Sequence, residues 1–185
     1  MILADGDSAG FERYPSLLAT VSCSVIGRMP EKLLTAQELS VALQSRRNRA
    51  ERIVFTNGCF DLLHVGHTRF LQQARALGDC LVVGLNSDAS LRSIKPGRPL
   101  VAEGQRAEIL AALACVDHVV IFDAPDPRDL IQALQPDVLV KGGDWPVDRI
   151  VGRDIVEARG GQVLTLPLVP DISTTLLIQR IQKLS

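Results

Sequence analysis

The sequence lacks several features that mark particular classes of protein. It contains four cysteines, and none lies in a CxxC pair or has the Cys/His spacing of a metal site. The fairly apolar residues 17–26 are too few to span a bilayer, and the charged residues that precede them are mostly acidic, unlike those of a secretory signal. These absences predict reduced cysteines, no membrane association and a cytoplasmic location.

The sequence also lacks an excess of charge of one sign. Twenty Lys and Arg residues stand against 21 Asp and Glu residues, which gives a net charge of -1. Arginines cluster at 46–52, but they fall at the C-terminal end of a predicted helix, where cations complement the helix dipole. No aromatic residues are interleaved with them for base stacking. We therefore expect no nucleic-acid partner, and any anion binding should be local.

Length and pattern predict one compact domain preceded by an extension. Residues 1–50 form the extension, in which the capping box at 35–38, followed by Leu39 and Leu43, predicts a helix near 36–48. Residues 51–185 form the main domain, and no repeat, low-complexity tract or linker divides it.

Within this domain, β-rich runs alternate with helical segments, which predicts a parallel α/β sheet. The predicted strands are 53–55, 81–85, 118–122, 138–140 and 163–166. The predicted helices are 67–77, 106–114, 129–134, 150–158 and 174–184. The expected fold is Rossmann-like, a five-stranded parallel sheet with helices on both faces.

The strongest chemical signal is the segment 56–67, TNGCFDLLHVGH, which joins the first strand to the next helix. Ligands bind beyond the carboxyl ends of the strands in such sheets. His64 and His67 fall at the helix N-terminus, where the dipole favours neutral imidazoles that can donate to phosphate, and Gly66 allows a ligand to approach the backbone. A zinc site formed by Asp61, His64 and His67 is the competing interpretation.

A second phosphate-binding element lies near the C-terminus. The ISTT string at 172–175 places three hydroxyls before the last predicted helix, whose free amides could join them, although ordinary helix capping also explains the pattern. Lys95 and Arg98, in a predicted loop at 93–103, and Arg106 lie between the two elements.

Taken in order, the strings TNGCFDLLHVGH, LGDCLVVGLNSDAS, KPGRPL, QRAEILAAL, VLVKGGDW and ISTT closely resemble the D-glycero-β-D-manno-heptose 1-phosphate adenylyltransferase family over residues 51–184. The HxGH pattern alone would indicate only the wider nucleotidyltransferase group. The sugar kinase domain that is often fused ahead of this domain has no room in the first fifty residues, so we expect a stand-alone transferase. One departure from the family pattern is Asp171, which stands where we expect a glycine.

The resemblance implies transfer of AMP from ATP to heptose 1-phosphate, giving ADP-heptose and pyrophosphate with Mg²⁺ and without direct protein ligands to the metal. It also implies a homodimer, and a separate heptose kinase and phosphatase in lipopolysaccharide precursor synthesis. The implied catalytic residues are His64, His67, Lys95 and Arg106. The implied nucleotide-binding residues are Thr56, Asn57, Gly58, Phe60, Gly66, Lys141, Gly142, Ser173, Thr174 and Thr175. The implied acceptor-binding residues are Asp61, Asn86, Asp88, Arg98, Asp144 and Trp145.

Two other functions remain open from the sequence. A cytidylyltransferase acting on glycerol 3-phosphate, or on a related phosphorylated alcohol, would use the same histidines, because HxGH serves the nucleotide phosphates and not the base. A non-catalytic nucleotide-binding module is the second alternative, although it would be expected to lose His64, His67 or Lys95, and all three are present.

Overall fold

The computed structural model describes residues 31–143 and 146–184. The strands are β1 (Ile53–Gly58), β2 (Cys80–Asn86), β3 (His118–Phe122), β4 (Val138–Gly142) and β5 (Gln162–Leu166). The helices are α1 (Ala36–Arg47), α2 (Val65–Arg75), α3 (Asp88–Ile94), α4 (Glu103–Ala112), α5 (Arg128–Leu134), α6 (Arg153–Glu157) and α7 (Thr174–Gln182). A single 3₁₀ turn, Val147–Arg149, precedes α6.

The five strands form one parallel sheet in the order β3-β2-β1-β4-β5, which confirms the predicted fold class. The strand order reverses between β1 and β4, and ligands bind at the carboxyl edge of such a reversal. Asn57 and Gly58 end β1 there, and Lys141 and Gly142 end β4. The fold therefore brings the HxGH segment and the VLVKGG segment to the same edge.

Alternating strand residues build a separate core on each face of the sheet. Ile53 and Phe55 of β1 pack with α1, α5 and α6, whereas Val54 packs on the other face with α2 and α4. Strands buried on both faces contain nearly continuous apolar residues, which is why these runs could be recognised in the sequence.

Helix α1 is part of the domain core. Its capping box is present as predicted: Glu38 N–H donates to the Thr35 side chain, and the Glu38 carboxylate accepts from Thr35 N–H. Leu39 and Leu43 are fully buried in the same cluster as β1. A bridge between Leu33 and Val119 also places the preceding segment beside β3. Residues ahead of 51 thus contribute packing to the main domain.

Helix α3 was not predicted from the sequence, and its last two residues overlap the loop predicted at 93–103. The Ser87 side chain accepts from Ser90 N–H and starts the helix immediately after β2. Such a short helix shows too few apolar positions for a helical period to be recognised. Within the described residues, no helix is long and apolar enough to cross a membrane.

Candidate active site

The two histidines of HxGH form a stacked pair at the start of α2. His64 is the N-cap residue, and its Nδ1 accepts a hydrogen bond of 3.1 Å from Gly66 N–H. His67 Nδ1 accepts from His64 N–H at 3.4 Å. The ring centroids are 3.9 Å apart with an interplanar angle of 25°. The backbone thus fixes both imidazoles in one orientation.

These hydrogen bonds define the protonation of both rings. A ring nitrogen that accepts carries no proton, so the proton of each neutral imidazole lies on Nε2. Burial lowers the pKa of His64, and burial together with the neighbouring His64 lowers the pKa of His67 to about 4. Burial is the largest cause of both shifts. Near neutral pH, each ring therefore presents an Nε2–H donor.

Gly66 is required by the position of the His64 ring. A Cβ at residue 66 would lie 2.9 Å from both Cε1 and Nδ1 of His64, and 3.4 Å from Cγ2 of Ile172. The 2.9 Å contacts are closer than carbon atoms tolerate, so any side chain at this position would displace the imidazole. The glycine therefore leaves the space that the His64 ring occupies.

The loop between β1 and α2 contains two residues in the left-handed region. Phe60 has φ 46° and Leu62 has φ 52°, each at a cost of about 1 kcal/mol for a residue with a Cβ. Phe60 is buried, and its ring lies 5.4 Å from the His67 ring between centroids. Packing offsets the backbone cost, and strained residues of this kind are often found at functional sites.

Asp61 is buried and holds the loop that follows α3. Its carboxylate accepts from Leu100 N–H, Val101 N–H and the Arg98 guanidinium, the last at 2.5 Å. Burial alone would raise the pKa of this carboxyl, but the backbone hydrogen bonds and Arg98 outweigh that effect and lower it. The ionised Asp61 thus fixes Arg98 at the edge of the site.

Arg106 has a similar internal role. Its side chain is 1% exposed and donates to Val101 O, Cys59 O and the Asp88 carboxylate, the last at 2.7 Å. It lines neither of the two cavities described below. Arg106 and its partner Asp88 therefore join three loops of the sheet edge in this structure, rather than reaching the open site.

The start of α7 lies beside the HxGH loop. Thr174 Oγ1 donates to Asp61 O at 2.9 Å, and the Ser173 side chain caps the helix by accepting from Leu176 N–H. Asp171 adopts φ 59°, a conformation that glycine takes freely and that aspartate tolerates better than most residues. The family glycine is thus replaced by an aspartate with the backbone conformation that glycine favours.

Two cavities open on either side of the HxGH loop. The larger cavity, about 670 Å³, is lined by His64, Gly66 and the 173–175 hydroxyls. The smaller cavity, about 350 Å³, is lined by Asp61, Asn86 and the 125–127 loop. The two cavities adjoin, and both are lined by a set of residues that we call the common wall: Asn57, Gly58, Cys59, Phe60, His67, Ile94, Lys95, Arg98, Lys141 and Thr174. A group bound against this wall could meet ligands from both sides.

The comparisons with known proteins agree with this geometry. Residues 55–180 match the family described as cytidylyltransferase-like. The chain belongs to the cytidylyltransferase-like family. It is 55% identical over 151 residues to the bifunctional protein HldE of Syntrophotalea carbinolica, with 81% of this chain and 31% of that protein covered. The HldE protein of Koribacter versatilis is 47% identical over 97% of this chain and 37% of its own length.

A solved structure shows the same fold. The lipopolysaccharide core biosynthesis protein from Thermoplasma volcanium is 27% identical, with a TM-score of 0.54, over 64% of this chain and 97% of that one. The predicted resemblance and the nucleotidyltransferase class are confirmed by the family match and by the HldE relatives. This chain spans about a third of the length of those relatives.

Thr56, Asn86, Lys141 and Gly142, which were also predicted for this cytidylyltransferase-like site, lie at the same edge of the sheet. Lys141 Nζ donates to both oxygens of Asn57, which joins the ends of β4 and β1. Thr56 is buried and donates to Val140 O, and Gly142 lines the larger cavity. The Asn86 side chain donates to Ser90. Asp144 and Trp145 lie outside the described residues.

Several lining residues have no motif that would reveal them in the sequence. Cys59 lies in the common wall, and burial raises the pKa of its thiol. Ile150 and Val151, together with the 125–127 loop after β3, line the smaller cavity. The position of that loop after a parallel strand is the one signal that could have indicated it.

The described residues contain no group of three or more His, Cys, Asp or Glu side chains arranged to hold a metal ion. Asp61 faces Arg98 and the loop at 100–101, while Nδ1 of each histidine already accepts a hydrogen bond. This arrangement favours phosphate binding over the zinc interpretation. It fits Mg²⁺ that arrives on nucleotide phosphates, because Mg²⁺ keeps several waters and needs few protein ligands.

Proposed function

We propose that this domain transfers AMP from ATP to D-glycero-β-D-manno-heptose 1-phosphate and releases ADP-heptose and pyrophosphate. The observation that carries the proposal is the pair of cavities sharing one wall, with the neutral His67 imidazole and the cations Lys95, Arg98 and Lys141 in that wall. Adenylyl transfer needs two anionic ligands to meet at one phosphorus atom, and this arrangement supplies such a meeting point.

ATP fits the larger cavity. The N-termini of α2 and α7 both lie on it, and free amides at helix N-termini bind phosphate oxygens. Ser173, Thr174 and Thr175 add hydroxyls at the α7 end, where we place the β- and γ-phosphates. His64 and His67 then serve the α-phosphate. Mg²⁺ bound to the β- and γ-phosphates would neutralise charge on the leaving pyrophosphate.

The acceptor fits the smaller cavity, with its phosphate against the common wall. Lys95 is exposed there, and its ammonium forms no hydrogen bond or salt bridge with the described residues. Lys141 is held at the same wall by Asn57. Two ammonium groups can balance the charge of the acceptor phosphate while it approaches the α-phosphorus.

The chemistry then requires no covalent enzyme intermediate. A sugar phosphate has a second pKa near ~6, so its oxygen is already ionised at neutral pH and needs no general base. This oxygen forms a bond to the α-phosphorus as the bond to the bridging oxygen of pyrophosphate breaks. Nε2–H donors of His64 and His67 stabilise the charge that develops on the α-phosphate oxygens. Arg106 and Asp61 position the loops that carry these groups.

Following the resemblance, we also propose a homodimer, and a heptose kinase and a phosphatase that act in the same series of reactions. The cytoplasmic location predicted from the cysteines and from the absence of targeting features is part of the same proposal.

A pyrophosphate-release assay tests the proposal. ATP and CTP are each combined with heptose 1-phosphate and glycerol 3-phosphate in the presence of Mg²⁺. We expect turnover with ATP and heptose 1-phosphate. Turnover only with CTP would overturn the heptose assignment, and no release with any pair would favour a non-catalytic module.

The roles of the two histidines are tested by alanine variants. His64→Ala and His67→Ala should each lower kcat by about 10²-fold or more, since each removes a preorganised donor. ATP affinity, measured by calorimetry, should change far less. Near-normal turnover in both variants would contradict the proposed role, and recovery on addition of zinc would restore the metal interpretation.

A further inference from the structure

The smaller cavity is lined by cationic side chains on one side and by a loop that carries a carboxylate on the other. Lys95, Arg98 and Lys141 lie in the wall that it shares with the larger cavity. The loop Pro125, Asp126 and Pro127 lies in the part that belongs to the smaller cavity alone. A ligand matched to this arrangement is anionic at one end and carries hydrogen-bond donors at the other.

Two carboxylates line this cavity, and they differ in their partners. Asp61 is already bound to Arg98 and to two backbone N–H groups. Asp126 is in no salt bridge within the described parts of the chain, and its Oδ1 accepts one hydrogen bond of 2.9 Å from Arg128 N–H. The second oxygen of Asp126 is therefore the carboxylate acceptor in this cavity that can serve a ligand.

The loop is built to hold Asp126 in place. Prolines on both sides restrict the backbone, and the hydrogen bond from Arg128 fixes the side chain at the start of α5. The loop follows the carboxyl end of β3, on the same edge of the sheet as the histidines. A side chain held in this way loses little conformational entropy when it binds a ligand.

From these observations we infer that Asp126 recognises hydroxyl groups of the acceptor sugar and thereby contributes to its selection. The inference rests on the proposed function and adds to it a residue that sets acceptor specificity. An ionised carboxylate makes short, strong hydrogen bonds with hydroxyl donors. It also repels a phosphate, so it orients the sugar with its phosphate toward Lys95 and Lys141.

A competing role for Asp126 is to stabilise the start of α5 and nothing more. Asp126→Asn separates the two roles, because asparagine can still accept from Arg128 N–H but has no negative charge. Asp126→Ala removes both properties. Asp123→Asn is the matched control, since Asp123 is an exposed aspartate of the same loop that lines neither cavity.

The test measures KM for heptose 1-phosphate, KM for ATP and kcat in each variant, together with heptose 1-phosphate binding by calorimetry. Asp126→Asn should raise both the KM and the Kd for heptose 1-phosphate by about tenfold or more, because a hydrogen bond to a charged group is lost. The KM for ATP should not change, and Asp123→Asn should resemble the parent protein.

Singly deoxygenated heptose 1-phosphates then identify the hydroxyl involved. Removal of that hydroxyl should weaken binding to the parent protein and have little effect on Asp126→Asn, as in a double-mutant cycle. An unchanged acceptor KM in Asp126→Asn, or an equal rise in both KM values, would overturn the inference while the proposed function stands. Absence of turnover in the parent protein would instead overturn the proposed function, and this inference with it.

Discussion

Replacement of Gly66 by alanine should lower activity without a matching loss of stability. The new Cβ would lie 2.9 Å from two atoms of the His64 ring, which must therefore move. Movement of the ring breaks the hydrogen bond from Gly66 N–H and disturbs the stack with His67. The helix gains about 1 kcal/mol because alanine is favoured over glycine, but it loses the N-cap hydrogen bond of His64, which is worth a similar amount.

The magnitude follows from the role of His64 as a preorganised donor. Ordinary contact begins at 3.4 Å, so the His64 ring must move by about half an ångström or more. A misplacement of about 1 Å can cost about 10²-fold in rate, and loss of one donor costs about 10²- to 10³-fold. We therefore expect kcat to fall by about 10²-fold in Gly66→Ala, while the melting temperature changes little, because the gain from alanine offsets the lost cap.

Pyrophosphate release checks the predicted fall in kcat, and thermal unfolding of the same preparation checks the predicted melting temperature. The matched control is Gly104→Ala in α4, where an added Cβ meets no heavy atom within 4 Å. This control should gain stability and keep its activity. Full turnover in Gly66→Ala would refute the argument that the backbone fixes His64 for catalysis.

Three further predictions concern pH and stability. Folding lowers the pKa of His67 from 6.5 to about 4. Between these two pH values the imidazole is protonated in the unfolded chain but not in the folded protein, so the folded protein loses stability as the pH falls. Urea unfolding should thus show a free energy of unfolding about 1–2 kcal/mol lower near pH 5 than near pH 7. In His67→Asn this part of the pH dependence should be lost. The same pH dependence in the variant and the parent protein would contradict the lowered pKa of His67. Asp171→Gly should raise the stability measured by thermal unfolding by up to about 1 kcal/mol without lowering kcat, because glycine adopts φ 59° without strain. A clear loss of stability would contradict the view that the backbone at residue 171 is strained. Asp61→Ala leaves the guanidinium of Arg98 and two amides without their partner, so urea unfolding should show a loss of about 3 kcal/mol; a neutral effect would exclude the proposed anchoring of the loop.

The fold was largely predictable because its signals are local. Each strand is a short apolar run bounded by turn residues, and the HxGH segment follows the first of them. The position of Thr174 beside Asp61 was also predictable in outline, since the carboxyl ends of parallel strands meet at one edge.

Other features depend on contacts between distant parts of the chain, and so the sequence alone did not indicate them. Arg106 looks like a phosphate ligand in sequence, but its guanidinium is buried between the loop after β1, the start of α3 and the loop that precedes α4. Helix α1 looks like an appendage until Leu39 and Leu43 are seen in the core. Asp126 belongs to no recognised motif, and its place in the lining of the smaller cavity follows only from the packing of the loop after β3.

The fate of the α-phosphate tests the central claim most directly. ATP labelled at the α-phosphorus is incubated with Mg²⁺ and heptose 1-phosphate, and the products are separated. We predict that the label appears in ADP-heptose and that unlabelled pyrophosphate is released in equal amount. Recovery of the label in free ADP, with the γ-phosphate on the sugar, would show a kinase reaction and would contradict the account.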